Sequence, residues 1–265
     1  MKVQTDRESK RHCKVIAFTS QKGGVGKTTS CLIAGYGLAE RGHKVLIVDA
    51  DPQASISFLL HSDRGPGIAE ALKKTVKLEE SIYMKNSLLH VARGSQTMAE
   101  AGEAFSYSKR KETALKEALE PLLGKYEFIL IDCPPALNLI TVNALTASDS
   151  VIIPVLADIL SLKGIEGIAA LTQAVKARTN PKIRIKGLLL NRYNGRSRVS
   201  KAVRGQLEKA AERLGTEIIP APIREATALK ECQITGENPF IAIKRNAPIY
   251  GDICKFIDWM EDEEK

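Results

Sequence analysis

One stretch constrains this chain more than any other: Gln21-Lys22-Gly23-Gly24-Val25-Gly26-Lys27-Thr28-Thr29. It follows the apolar, β-rich run Val15–Thr19 and opens a helical stretch, Thr28–Glu40, that stops at Arg41-Gly42. A strand, a glycine loop and a helix N-terminus in that order form the setting of a phosphate-binding loop. The glycines let the backbone curl so that its N–H groups point inward. The helix N-terminus adds partial positive charge at the same spot. Lys27 is placed to reach the β- and γ-phosphates of a nucleotide, and the Thr28 hydroxyl to ligate Mg2+. Gly23, Gly24, Val25, Gly26 and Thr29 complete the cradle.

The loop departs from the general G-x-x-x-x-G-K-[ST] form: Gln21 stands where the first glycine would be, and Lys22 precedes the double glycine. Lys22 shares a tight loop with Lys27 and would repel it without an anion nearby. An anion-contacting role is one reading, and an exposed loop lysine is the other. Acids complete the site. The run Lys44–Val48 ends in Asp49-Ala50-Asp51-Pro52-Gln53, and Tyr126–Ile131 ends in Asp132-Cys133-Pro134-Pro135. An Asp ending a buried strand, as Asp132 does, is the Walker B arrangement, which holds Mg2+ through water. Asp49 and Asp51 share a face as long as the strand continues, so both look toward the γ-phosphate. One of them positions water, and Asp49 is a further metal candidate. Asp51 is alternatively a cap for the next helix.

Further apolar runs at Val151–Val155 and Ile185–Leu190, and a short one at Ile218–Ile219 before Pro220, alternate with helical patterns. That order predicts an α/β fold of the P-loop NTPase class, a central, mostly parallel, twisted sheet covered by helices on both faces. Residues 61–125 carry helical fragments around Ile68–Lys74 and Lys111–Leu119 and a strand at Ser87–Ala92. Pro248–Glu263 reads as a final helix with Ile249, Ile253, Phe256, Ile257 and Met260 on one face. Without repeats or linkers, residues 14–265 form one ATPase domain after a short basic segment, 1–13. Aromatics are 5% of the chain, so the core is expected to be aliphatic.

Cysteines at 13, 31, 133, 232 and 254 form no C-x-x-C pair, so a zinc or iron–sulfur site has no local support. The N-terminus lacks a signal-peptide apolar stretch, and no run reaches the ~18 apolar residues of a membrane span. A cytoplasmic protein with no membrane partner is expected.

The net charge of +8 is concentrated: Lys176–Arg213 holds twelve Lys or Arg against two Glu, a local +10 that leaves −2 for the rest. That is the footprint of a polyanion-binding surface. Arg192, Arg196, Arg198, Lys201 and Arg204 fall in a loop and the start of a helix, with Glu208 offsetting Lys201 and Arg204. Only Tyr193 interleaves, so phosphate contact is favoured over base stacking. A solvated basic face is the alternative.

Lys22-Gly-Gly-Val-Gly-Lys-Thr-Thr29, Asp49-x-Asp-Pro-Gln53 and Asp132-x-Pro-Pro135 together resemble the ParA/Soj family of DNA-partition ATPases. Ala157–Ile165 and Asn191–Arg196 continue the resemblance, which covers residues 14 to 258. It implies an ATPase of weak intrinsic activity that uses ATP and Mg2+ and forms a homodimer on ATP. It further implies nonspecific binding of double-stranded DNA, a ParB-type partner and association with the nucleoid. By this resemblance Lys22 crosses to the partner's phosphates and Asp51 positions the attacking water. Asp49 belongs to the same switch, Asp132 is the Walker B acid, and Asn191 contacts adenine. Residues 1–13 are too few for the helix-turn-helix of larger plasmid partition proteins, so operator-specific repression is not expected. The segment around Arg224 matches the family only loosely. A MinD-like membrane-cycling ATPase is the alternative, but it requires a basic amphipathic tail, and Asp252–Lys265 is acidic. A cluster carrier would need paired cysteines, and Cys133 stands alone.

Overall fold

Uninterrupted Val, Ile and Leu runs suit strands buried on both faces, and the sheet is built from them. The computed structural model describes residues 13–62, 64–98 and 111–262. The proposed basic segment 1–13, Cys13 excepted, and the last residue of the Pro248–Glu263 helix lie outside the described residues. In chain order the elements are β1 Lys14–Phe18, α1 Lys27–Glu40, β2 Val45–Asp49, α2 Ser55–Leu59, α3 Ile68–Leu72, β3 Ile82–Met84 and β4 Leu89–Ala92. There follow α4 Ala114–Leu119, β5 Phe128–Asp132, α5 Leu139–Ala147, β6 Ser150–Leu156, α6 Ile159–Arg178 and β7 Arg184–Asn191. The chain then turns helical: α7 Arg198–Arg213, α8 Thr227–Thr235, α9 Pro239–Ala242 and α10 Pro248–Glu261.

The strands form one sheet in the order β3-β4-β2-β5-β1-β6-β7. Every pairing is parallel except β3 with β4. Alternate residues of each strand feed separate cores. Val15, Leu46, Ile129, Val151 and Leu188 pack toward α5, α6 and α7. Ile16, Ile47, Leu130, Ile152 and Leu189 pack toward α1, α8 and α10. Helices therefore cover both faces. β1 lies inside the sheet between β5 and β6, with Phe18 in register with Asp132, and Asp132 in turn with Asp49. The glycine loop and the strand-end acids thus converge on one edge.

The predicted final helix has its stripe where expected: Ile249, Ile253, Phe256, Ile257 and Met260 are all buried. One expectation is corrected, and one element was not foreseen. Ile218–Ile219 is no strand but a single bridge to Leu188, because Pro220 has no N–H to extend the ladder. The 61–125 region holds an edge strand, β3, that its three residues, two half-buried and Met84 exposed, do not announce. Its pairing with β4 depends on tertiary contact rather than on pattern.

Candidate active site

The loop between β1 and α1 bends through Gly24 and Gly26, at φ 74° and 86°, a left-handed backbone open to glycine. A Cβ at Gly23 or Gly24 would meet nothing, so the loop's inner wall is bare backbone. Val25 turns inward and is buried. A cleft of about 490 Å3 opens above the loop, lined by Lys22, Lys27, Thr28, Asp51, Asn191 and the start of α8.

Lys27 is buried, its Nζ 3.4 Å from Asp51 Oδ2 and 3.3 Å from Asp132 Oδ1. Burial opposes its charge, but Asp132 and Asp51 outweigh that, and its pKa is raised. The Thr28 hydroxyl donates to Asp132 Oδ2 at 2.7 Å, so the proposed Mg2+ ligand and the Walker B acid already touch. Asp51 also accepts the Gln53 N–H at 3.0 Å, which holds it in a turn. It caps no helix, since the N-cap of α2 is Ala54. Asp49 directs Oδ2 at Ser57, while Oδ1 is buried with no protein partner. Burial and the neighbouring Asp132 push its carboxyl up to about 7.

Lys22 stands apart at the rim. Its Nζ donates to Asp158 Oδ2 at 2.6 Å. Asp158 also caps α6 through the Ser161 N–H at 2.9 Å. Desolvation opposes its charge, but the bonds from Lys22 and Ser161 together prevail and hold the carboxyl below its ordinary value. The anion that Lys22 requires is therefore supplied by the same chain. Asn191, at the end of β7, points its amide at the loop, donating to Val25 O at 2.8 Å and Ser30 Oγ at 2.9 Å. Its Oδ1 is buried without a protein partner, and the residue lines the cleft. Asn191 thus braces the loop's outer turn, a role the sequence did not suggest.

The profile of the AAA domain family matches residues 13–185, more than half of the chain. The sporulation initiation inhibitor protein Soj of Bacillus subtilis is 33% identical over 252 residues, 91% of this chain and 97% of Soj. The chromosome partitioning protein ParA of Myxococcus xanthus is 32% identical over 232 residues, 84% and 80% of the two chains. The chain belongs to the ParA/Soj family. Among solved structures, the septum site-determining protein MinD of Pyrococcus horikoshii, complexed with Mg-ADP, superposes with a TM-score of 0.75. It is 27% identical, with 94% of this chain and 96% of MinD covered.

The site of this ParA/Soj-family ATPase fits ATP and Mg2+ on its own features. The bare glycine wall suits phosphate, and the Thr28 hydroxyl and the Asp132 carboxylate offer oxygen ligands. Among the described residues no cluster of three His, Cys, Asp or Glu is built to hold a metal by itself. Cys133 is buried, and burial raises its thiol.

The basic segment is not one patch. β7, last in the sheet order, divides this segment, so Lys176 and Arg184 border a separate cleft near Gly215, while Arg192, Arg196 and Arg198 follow its nucleotide end. Seven residue steps of about 3.3 Å put the two ends of β7 roughly 23 Å apart. At the nucleotide end Arg192 pairs with Glu225 at 3.3 Å and Arg204 with Glu208 at 2.9 Å. Arg204 also lies over the Tyr193 ring. Arg196, Arg198 and Lys201 are exposed. Arg224 is clasped by both oxygens of Asp252.

Two residues escaped sequence reasoning. Asp158 gave one signal, its position just before a helical run. Gln233 of α8, whose Nε2 donates to the Thr29 hydroxyl, gave none.

Proposed function

We propose that this chain, as a single ATPase domain, dimerises on ATP, binds DNA without sequence preference and drives partition of a DNA molecule with a ParB-type partner. The observation that carries the reading is the division of labour between two lysines of one loop. Lys27 is buried between the two catalytic acids, and Lys22 waits at the rim on an ion pair one-third exposed. A lysine needed only for its own nucleotide would sit inside, as Lys27 does.

Backbone N–H groups of residues 23–28 receive the phosphates, and Lys27 bridges the β/γ oxygens. Mg2+, when bound, neutralises charge developing between those phosphates. Thr28 and Asp132 are the residues that would hold it, Asp132 through water. Asp51, fixed beside Lys27, orients the attacking water. Asn191, on the wall of the cleft, is the residue that would contact the adenine. Lys22 leaves Asp158 for the partner's phosphates. Intrinsic hydrolysis is weak until the dimer and its partner complete the site. Dimerisation doubles the phosphate contacts on one duplex and makes the second engagement intramolecular, so nucleotide gates DNA binding. A MinD-like lipid tether finds less support, because the apolar face of α10 is buried in the core. Among the described residues no helix is long and apolar enough to cross a membrane.

Light scattering tests the reading. With saturating ATP and Mg2+, Asp51→Ala should form a stable dimer, and Lys22→Ala should bind ATP yet remain a monomer. A monomeric Asp51→Ala protein under those conditions contradicts the sandwich mechanism.

A further inference from the structure

Asp49 was a metal candidate on sequence, yet the fold employs it elsewhere. One of its oxygens, Oδ2, accepts both the backbone N–H and the hydroxyl of Ser57, at 2.8 and 2.7 Å. The Ser57 hydroxyl oxygen in turn accepts the Gly94 N–H at 2.7 Å. The Ser57 carbonyl accepts the Ser62 N–H at 2.8 Å. Asp49 and Ser57 are both fully buried. Gly94 is fitted to the arrangement: a Cβ there would stand 2.8 Å from Asp49 Oδ2 and 2.9 Å from Ala54 Cα.

What these bonds fix is α2. A helix of five residues has no stability of its own, so tertiary ties decide where it lies. Asp49 joins it to the end of β2, and Gly94 joins it to the end of β4. Between the two anchors the chain carries Asp51 and reaches Ser57 through Ala54, a non-glycine residue held at φ 48°. A β-carbon in that region is disfavoured, and such a conformer persists where its surroundings over-determine it. The Ala54 N–H also closes on the Asp51 carbonyl at 2.8 Å. The position of Asp51 above Lys27 therefore follows from the Ser57 anchor.

We propose that Asp49, Ser57 and Gly94 form a clamp that seats α2 on the sheet and thereby positions the Asp51 carboxylate for hydrolysis. Asp49 and Ser57 act through Asp51 and are positioning residues. The clamp explains why two aspartates occur two residues apart: the first holds the loop that carries the second. This inference rests on Asp51 orienting water, and the experiment separates the two ideas.

The variants are Ser57→Ala, Ser57→Thr, Asp49→Asn, Asp51→Ala and Asp51→Ala/Ser57→Ala, all full-length. The first readout needs no nucleotide. Hydrogen exchange of the amides of residues 54–60 should quicken in Ser57→Ala. It should stay slow in Asp49→Asn, whose amide oxygen still accepts both bonds, and in Ser57→Thr, which keeps the hydroxyl. The second readout pairs calorimetric ATP affinity with the hydrolysis rate. Ser57→Ala should keep ATP affinity and Mg2+ dependence while kcat falls on the order of tenfold to a hundredfold, the effect of a displaced catalytic group. The double variant should hydrolyse no more slowly than Asp51→Ala alone, since the clamp has nothing left to position. Unchanged exchange in Ser57→Ala overturns the clamp. An additive loss in the double variant overturns its action through Asp51. If Asp51→Ala hydrolyses normally, the water-orienting role falls, while the exchange result still decides whether the clamp exists.

Discussion

Arg196, Arg198 and Lys201 are exposed at the nucleotide end and, among the described residues, are held in no ion pair, whereas Arg192 and Arg204 already have carboxylate partners. If DNA lies on this end, these three cations should carry the phosphate contacts. Each contact contributes about 0.9 to the slope of log affinity against log salt, so replacing all three by Gln should flatten the slope by about 2.7 per protomer. Between 50 and 200 mM salt, wild-type affinity should then fall about 40-fold further than the variant's for each protomer engaged. The paired Arg192 and Arg204 must first leave Glu225 and Glu208, and their replacement should matter less. The control is Lys176→Gln/Arg184→Gln at the other end of β7, which should leave the slope unchanged. The assay is a filter-binding salt titration with ATP, ADP or no nucleotide, on two unrelated duplexes. Equal losses on both sequences are expected, since phosphate contacts carry no base information. If the triple variant keeps the wild-type slope, the cluster is only a solvated face. If the control flattens it as much, the DNA surface has been placed at the wrong end. Equal wild-type binding with ADP removes the nucleotide gate.

Lys27→Ala should abolish ATP binding in calorimetry, because the β/γ charge loses its main cationic contact and two buried carboxylates lose theirs. Phe256→Ala, which empties a fully buried site on α10, should cost about 3–5 kcal/mol in urea unfolding. His43 bridges Glu127 at 2.9 Å and Glu261 at 2.8 Å, tying α10 to the sheet. Partial burial opposes its charge, but both carboxylates prevail and raise its pKa. The stabilisation is therefore complete below the ordinary histidine value and fades as pH rises through the raised one. Unfolding midpoints should drop across that window in wild type and less in His43→Gln.

The sequence by itself determined the phosphate loop, the strand-end acids and the buried stripe of α10, because each is set by neighbours a few residues away. Glycine at the loop bends, an Asp closing an apolar run and a 3.6-residue stripe are local patterns with local physical causes. Lys22 could even be read as needing an anion. Which anion was decided by the tertiary structure, since Asp158 lies 136 residues further on. The same holds for Asn191, brought against Val25 from 166 residues away, and for Gln233 on Thr29. The dense basic segment shows the converse. Contiguous in sequence, it is separated by β7 into two ends of the molecule, because a strand that spans the sheet carries its flanking charges apart. Asp49 and Asp51 look equivalent in the sequence. Only the packing of a five-residue helix on the sheet gives one oxygen of Asp49 to Ser57 and leaves Asp51 facing Lys27, since burial obliges each polar group to take the partner that folding brings within reach.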